Sequence, residues 1–217
     1  MSEHISFDGH PVRIRSGKVE LNGDMSVPDE ARGIVLFAHG SGSGRMSPRN
    51  RYVAGVIQEA GIAALLMDLL TSREEEEDAY TGEHRYNIPL LAERLQMAAD
   101  WLSEEEATRS LKVCYFGAST GAAAALTAAT DRPANVAAIV SRGGRPDLAG
   151  EVLPDVKAPT MLIVGGLDDV VVQLNREAFR ELRFADAGHG GLLCAIRNDG
   201  IRVHSSLGWP SIQRLRT

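Results

Sequence analysis

Five short apolar runs constrain the fold of this chain more than any other feature of its sequence. They lie at residues 33–40, 62–70, 111–119, 136–144 and 159–169. Each run is continuous rather than alternating, which is typical of strands buried on both faces of a parallel sheet. Helical spacing of apolar residues separates the runs, most clearly at 87–106. Strand and helix therefore alternate, and this predicts a doubly wound α/β fold with helices on both faces of the sheet.

The first thirty residues differ from the rest of the chain. The segment 12–28 contains two short stretches of strand character, with turn residues at Ser16-Gly17 and Asn22-Gly23. We expect an antiparallel hairpin there, at the edge of an otherwise mostly parallel sheet.

Composition limits the classes of function. With 217 residues, 44% of them hydrophobic, the chain suits a single domain spanning residues 1–217. A net charge of −6 argues against nucleic-acid binding and favours a small-molecule substrate. No apolar run reaches about 18 residues, and the first ten residues do not resemble a leader, so we expect a cytoplasmic protein without a membrane span.

No residue pattern indicates a cofactor or a metal. Cys114 and Cys194 lack metal-ligand spacing and are assigned no role. The acidic run at 74–78 is interpreted as a solvated loop or the start of a helix, because neighbouring carboxylates repel one another unless a cation holds them.

A serine between two glycines, Gly117 to Gly121, follows one apolar run and precedes an alanine-rich helical stretch. Gly-x-Ser-x-Gly at a strand-to-helix joint is the setting of a nucleophile elbow, in which a sharp turn exposes the serine hydroxyl. The helix N-terminus would also favour negative charge near Ser119. We interpret Ser119 as a nucleophile, with a plain capping turn as the alternative.

An oxyanion hole needs a second backbone donor from an earlier loop. The loop after the first apolar run begins His39-Gly40, and the N–H groups of Ser41 and Thr120 are the predicted donors. His39 is interpreted as a loop-positioning residue. A nucleotide loop is disfavoured, because the sequence after Gly40 fits neither GxGxxG nor a P-loop.

An acid and a base are expected after later strands. Asp168 follows the last of the five runs and is the predicted acid; Asp169 could replace it, or either could cap the following helix. In the chain order Ser, Asp, His, the base would be His189, which has glycine neighbours, rather than His204, which lies in an alternating, strand-like segment.

Four strings together resemble the α/β-hydrolase superfamily, and more narrowly the branch related to dienelactone hydrolases, some of whose members are fused to phosphoribosyltransferase domains. They are FAHGSGSGRMSPRNRYVA, GASTGAAAAL, SRGGRPDLAG and LIVGGLDD. The resemblance covers roughly residues 12–183. It implies a triad of Ser119, Asp168 and a histidine, with oxyanion donors at Ser41 and Thr120, and hydrolysis of an ester or lactone through an acyl-enzyme. Dienelactone hydrolases proper use cysteine as the nucleophile, which argues against their own substrate here.

The tail departs from that pattern from about residue 184. Related chains place a further apolar strand before the histidine and a final amphipathic helix after it, whereas here twenty positions separate Asp168 from His189 and no helical periodicity follows. We therefore expect the last strand and helix to be incomplete, through a deletion or an altered C-terminus. An exposed sheet edge would favour self-association into a homo-oligomer, or low stability.

Two functional hypotheses follow. The first is a cofactor-free serine hydrolase acting on a small ester or lactone. Arg85 and Tyr86 lie in a loop that could border its pocket, but a solvated connector is the preferred interpretation of that loop. The second is a hydrolase-fold protein without catalytic activity, whose role is binding because the tail supplies no base.

Overall fold

The five apolar runs form the centre of a nine-stranded sheet. A computed structural model describes residues 5–131, 135–182, 191–197 and 200–205 of the protein. Its strands are β1 (His10–Ser16), β2 (Val19–Ser26), β3 (Ile34–Ala38), β4 (Ala63–Met67), β5 (Val113–Ala118), β6 (Val136–Arg142), β7 (Thr160–Gly165), β8 (Gly191–Arg197) and β9 (Gly200–Ser205). The apolar runs correspond to β3 to β7.

The strand order is β1-β2-β4-β3-β5-β6-β7-β8-β9. The six strands from β4 to β8 are parallel to one another, while β1 and β2 are antiparallel at one edge and β9 is antiparallel at the other. The predicted fold class is thus confirmed. The parallel strands all end at one edge, where ligands gather in open α/β sheets.

Of the two predicted N-terminal turns, one forms. The chain reverses after Ser16, but Asn22-Gly23 lies inside β2, where Gly23 pairs with Val12 on one side and Met67 on the other. Leu21 and Met25 flank this dipeptide and point into the core, so burial of β2 as one extended strand overrides the local turn preference.

Helices cover both faces of the sheet, as predicted. They are α1 (Pro48–Glu59), α2 (Ser72–Thr81), α3 (Ile88–Glu104), α4 (Thr120–Asp131) and α5 (Asp169–Glu181), with 3₁₀ segments at His84–Tyr86 and Pro146–Asp155. The larger apolar cluster lies on the side of α3, α4 and α5, and the smaller one, around Phe37 and Phe116, lies under α1. No helix in the described part of the chain is long and apolar enough to cross a membrane.

The acidic run at 74–78 lies within α2, in agreement with its interpretation as a helix start. Thr71 caps this helix, because its hydroxyl accepts the N–H of Glu74 while the Glu74 carboxylate accepts the N–H of Thr71. This reciprocal capping box satisfies two backbone donors that an open helix end would leave unpaired.

The tail continues the sheet. The sequence leaves no room for a strand between α5 and His189, but a strand follows that residue in sequence: β8, which pairs with β7. The strand-like segment around His204 is β9. Within the described residues no helix follows α5.

Candidate active site

Ser119 lies in the turn between β5 and α4, at the edge where the parallel strands end. Its φ is +50°, a left-handed backbone conformation that only Glu30 shares among the described non-glycine residues. Such a conformation costs roughly 1–3 kcal/mol and persists only where the surroundings fix it. Here the Ser119 carbonyl accepts the N–H groups of Ala122 and Arg145, both at 3.1 Å. The predicted strand–turn–helix setting of the serine is confirmed.

The two flanking glycines are required by close packing. A Cβ atom on Gly121 would lie 2.2 Å from the carbonyl oxygen of Ala38, and one on Gly117 would lie 2.4 Å from the Cα atom of Ala122. Neither position has room for any side chain. The sequence pattern around Ser119 is therefore a direct consequence of how tightly α4 packs against β3 and β5.

The loop after β3 lies against the serine. A Cβ atom on Gly40 would lie 2.8 Å from the Cβ atom of Ser119, so this loop and the elbow are in contact. The N–H of Ser41 donates to the Thr120 hydroxyl at 3.1 Å. Thr120 is the first residue of α4, where backbone N–H groups have no acceptor within the helix. The structure thus brings the two predicted oxyanion donors side by side.

His39 holds this loop in place. Its Nε2 atom accepts the N–H of Leu69, just beyond β4, and its Nδ1 atom lies 3.0 Å from the carbonyl oxygen of Gly40. These partners require a neutral ring with the proton on Nδ1. Burial lowers the pKa of His39 below its usual 6.5, which favours the same neutral form. With both nitrogens occupied, His39 positions the loop and is not free to act as a base.

Asp168 follows β7 at the same edge of the sheet, two strands away from β5 and so about 10 Å across the sheet. Its side chain is exposed, and one carboxylate oxygen accepts the N–H of Val171 at 3.1 Å, which makes Asp168 the N-cap of α5. The other carboxylate oxygen has no hydrogen-bond partner among the described residues. Asp169 is the first residue of the helix and is also exposed.

The predicted base, His189, lies outside the described residues. The alternative, His204, has its backbone in β9, opposite Leu193 and level with Leu162 in the middle of β7. Four strand spacings, about 19 Å, separate β9 from β5. This backbone position argues against His204 as the partner of Ser119.

A cavity of about 630 Å³ adjoins the Ser41–Thr120 contact. Its walls come from the loop 39–48, the residues after β4, and α2 with the 3₁₀ segment behind it. Arg85 lines it, against the preferred interpretation of its segment as a solvated connector, but its guanidinium is bound to the buried carboxylate of Asp78 at 2.5 Å. Tyr86 is exposed and does not line it.

The sequence analysis missed the pairing of Arg45 with Asp68 in the cavity wall. Asp68 accepts both the backbone N–H and the guanidinium of Arg45. This pairing ties the loop after β3 to the end of β4. The signal that could have found Asp68 is its place directly after a buried strand, where polar residues reach the functional edge.

These features define an α/β-hydrolase-fold protein, with a parallel sheet, a strained serine at a strand-to-helix turn and a glycine loop beside it. The sequence model of the dienelactone hydrolase family matches residues 22–189. The chain belongs to the dienelactone hydrolase family. The match ends before β8, so both last strands lie outside it.

Similar proteins agree with this assignment. The crystal structure of dienelactone hydrolase from Anabaena variabilis ATCC 29413 is 57% identical, with a TM-score of 0.79 and a match that covers 83% of each chain. Est1E from Butyrivibrio proteoclasticus is 14% identical and shares the fold, with a TM-score of 0.69 over 88% of this chain and 90% of that one.

One curated relative is much longer. The protein named "Putative phosphoribosyl transferase MT0597", from Mycobacterium tuberculosis strain CDC 1551, is 56% identical over 167 residues. These residues make up 77% of this chain but 37% of that protein. This chain therefore spans little more than a third of the length of that relative.

Proposed function

We propose that this protein is a serine hydrolase that cleaves a small ester or lactone through an acyl-enzyme on Ser119. The observation that carries the proposal is the strained left-handed backbone of Ser119, held between two glycines at which a Cβ atom would clash with backbone. The adjoining residues Gly40 and Thr120, though not Ser119 itself, line a cavity. Strain of this kind has a structural cost and is typical of catalytic positions. The cavity volume lies in the range of small-molecule sites.

In the proposed reaction the Ser119 Oγ atom attacks the carbonyl carbon and passes its proton to a histidine, for which we propose His189. Asp168 orients the imidazole, which then returns the proton to the leaving alcohol, and water releases the acyl group by the same route. The backbone N–H groups of Ser41 and Thr120 would stabilise the oxyanion. The Ser41 N–H must then exchange its Thr120 hydroxyl partner for the substrate oxygen.

We do not propose a transferase activity from the name of the longer relative. The shared segment is a minor part of that protein and is the segment that carries the elbow.

The test is hydrolysis of p-nitrophenyl acetate by the wild type, Ser119→Ala and His189→Ala. Ser103→Ala is the matched control, since Ser103 is exposed in the last turn of α3. We expect activity to fall by about 10⁴-fold or more in Ser119→Ala and His189→Ala and to stay unchanged in Ser103→Ala. If His189→Ala keeps its activity while Ser119→Ala loses it, the base is a group other than His189.

A role in binding without catalysis is the second candidate. It is favoured by one observation, that Asp168 and the Ser41 N–H both have partners that do not involve catalysis. A folded wild type that hydrolyses a panel of esters and lactones no faster than Ser119→Ala would establish this candidate and refute the hydrolase.

A further inference from the structure

One peptide group links α5 to the backbone of Ser119. The N–H of Arg145 donates to the Ser119 carbonyl at 3.1 Å, and the carbonyl of Gly144, on the other side of the same peptide bond, accepts a hydrogen from the Asn175 Nδ2 atom at 3.0 Å. Asn175 lies on α5 and is fully buried. This peptide plane is thus fixed from both sides, by the serine it supports and by the asparagine.

The Gly144–Arg145 peptide is also tightly enclosed. A Cβ atom on Gly144 would lie 2.1 Å from the Ser141 Oγ atom and 2.5 Å from the Cβ atom of Ala122. Ala122 is in the first turn of α4 and donates its own N–H to the Ser119 carbonyl. The peptide therefore packs directly against the turn that holds the nucleophile.

Asn175 is costly as a mere filler of space. Its Nδ2 atom donates to Gly144 and, at 2.8 Å, to the carbonyl of Val171, but its Oδ1 atom is buried without a hydrogen-bond partner among the described residues. A buried polar atom without a partner lowers stability, and an apolar residue would avoid this cost. The bond to Gly144 is the gain that an apolar residue could not supply.

We infer that Asn175 is a positioning residue for Ser119, which acts through the Gly144–Arg145 peptide to keep the Ser119 carbonyl and its left-handed backbone in place. The inference rests on the proposed hydrolase function for its effect on rate. Without the Asn175 donor the peptide could rotate, the Arg145 N–H would leave Ser119, and the strained turn would lose one of its two carbonyl bonds.

The test compares Asn175→Leu and Asn175→Ser with Val172→Ala, a matched change at a buried position of the same helix. Leucine removes the donor at similar size. Serine can still bond to the carbonyl of Val171, four residues earlier, but is too short to reach Gly144. Both variants thus lose the hydrogen bond to Gly144. Because the serine variant can keep the hydrogen bond to Val171, it shows the effect of losing the Gly144 bond alone.

Two quantities are measured, the hydrogen exchange of the Arg145 amide by NMR and the steady-state constants for p-nitrophenyl acetate. We expect faster exchange at Arg145 and a fall in kcat of about tenfold or more in both Asn175 variants, with KM changed less than about twofold. Val172→Ala should show neither effect.

Exchange and kcat in the Asn175 variants that match those of Val172→Ala would overturn the inference while leaving the hydrolase intact. If the wild type shows no turnover that depends on Ser119, the proposed function fails. In that case hydrogen exchange of the Arg145 amide is the remaining test: faster exchange in the Asn175 variants supports a role of Asn175 in holding the turn, and unchanged exchange contradicts it.

Discussion

Ser119 and Asp168 each follow a buried strand at the same edge of one sheet, yet their surroundings differ. The Ser119 turn is crowded, with glycines on both sides that exclude a Cβ atom and a backbone forced into the left-handed region. The Asp168 loop is open: a Cβ atom on Gly165 would have no described atom within 4 Å, and Asp168 is exposed. Ser119, the predicted nucleophile, is fixed by packing, whereas Asp168, the predicted acid, is held among the described residues by a helix cap.

Because of this difference, we expect substitutions at the two positions to have different effects on stability and activity. A crowded turn tolerates almost no change in residue size, so its variants lose stability and activity together. An open loop tolerates changes in size, so a change of charge there can be tested without disturbing the fold. The following predictions use this contrast.

Of the changes that compare the two regions, Asp168→Asn should have the largest effect on activity while sparing the fold. Asparagine keeps an oxygen to accept the Val171 N–H and is as good an N-cap as aspartate, so the free energy of unfolding should change by less than about 1 kcal/mol. If Asp168 orients the base, kcat should fall by about 10⁴-fold. Steady-state kinetics and urea unfolding measure the two effects.

Asp169→Asn is the matched control, because it removes the same charge from the next residue of the same exposed helix start. It should leave kcat within about twofold of the wild type, since in the proposed reaction Asp169 has no role. Equal losses in both variants, or a loss in Asp169→Asn alone, would remove the acid role from Asp168.

Gly121→Ala and Gly165→Ala make the contrast in packing measurable. The first introduces a Cβ atom 2.2 Å from a backbone oxygen, whereas the second introduces one with no atom of the described residues within 4 Å. Gly121→Ala should destabilise the protein by about 3 kcal/mol, and Gly165→Ala by less than about 0.5 kcal/mol. Urea unfolding checks both, and a Gly121→Ala protein as stable as the wild type would contradict the crowded geometry.

The fold could be predicted from sequence where burial leaves a simple pattern. The strands β3 to β7 lie in mostly apolar runs, because burial on both faces disfavours polar residues, although Ser141 in β6 and Thr160 in β7 are buried. The pattern failed at Asn22-Gly23, because a local turn signal carries no information about the neighbouring strand β4 that pairs with Gly23. The strand β8 was missed because strand pairing, not helical periodicity, organises the tail.

The candidate site follows the same division. Ser119 could be found because steric exclusion leaves glycines in the sequence at fixed spacing. Asp168 could be placed only as a residue after a strand, with Asp169 as an alternative, because an open loop imposes no pattern. Asn175 left no signal at all, since its link to Ser119 runs through a backbone peptide 31 residues away from it in sequence.

The smallest expected effect is a pH dependence of stability, which involves the crowded Ser119 turn and not the open Asp168 loop. His39 holds the crowded side only while its ring is neutral, because a protonated Nε2 atom could not accept the Leu69 N–H. Since burial lowers the pKa of His39 below 6.5, the unfolded chain binds a proton before the folded protein does as the pH falls. Its contribution to stability is fully present above pH 6.5 and is lost as the pH falls from there through the lowered pKa.

Hydrogen exchange of two backbone amides can detect this loss locally. The Leu69 N–H, bound to His39, should lose protection, corrected for intrinsic exchange, as the pH falls below 6.5, while the Val171 N–H, bound to Asp168, reports on the open region. In a His39→Gln variant the protection of Leu69 should no longer depend on pH in this window, because glutamine does not titrate. Equal losses at Leu69 and Val171 in the wild type would indicate general unfolding in acid and contradict a specific role of the neutral imidazole. A loss confined to Leu69 would show that the packing around Ser119 depends on one uncharged histidine, a dependence that the Asp168 loop does not share.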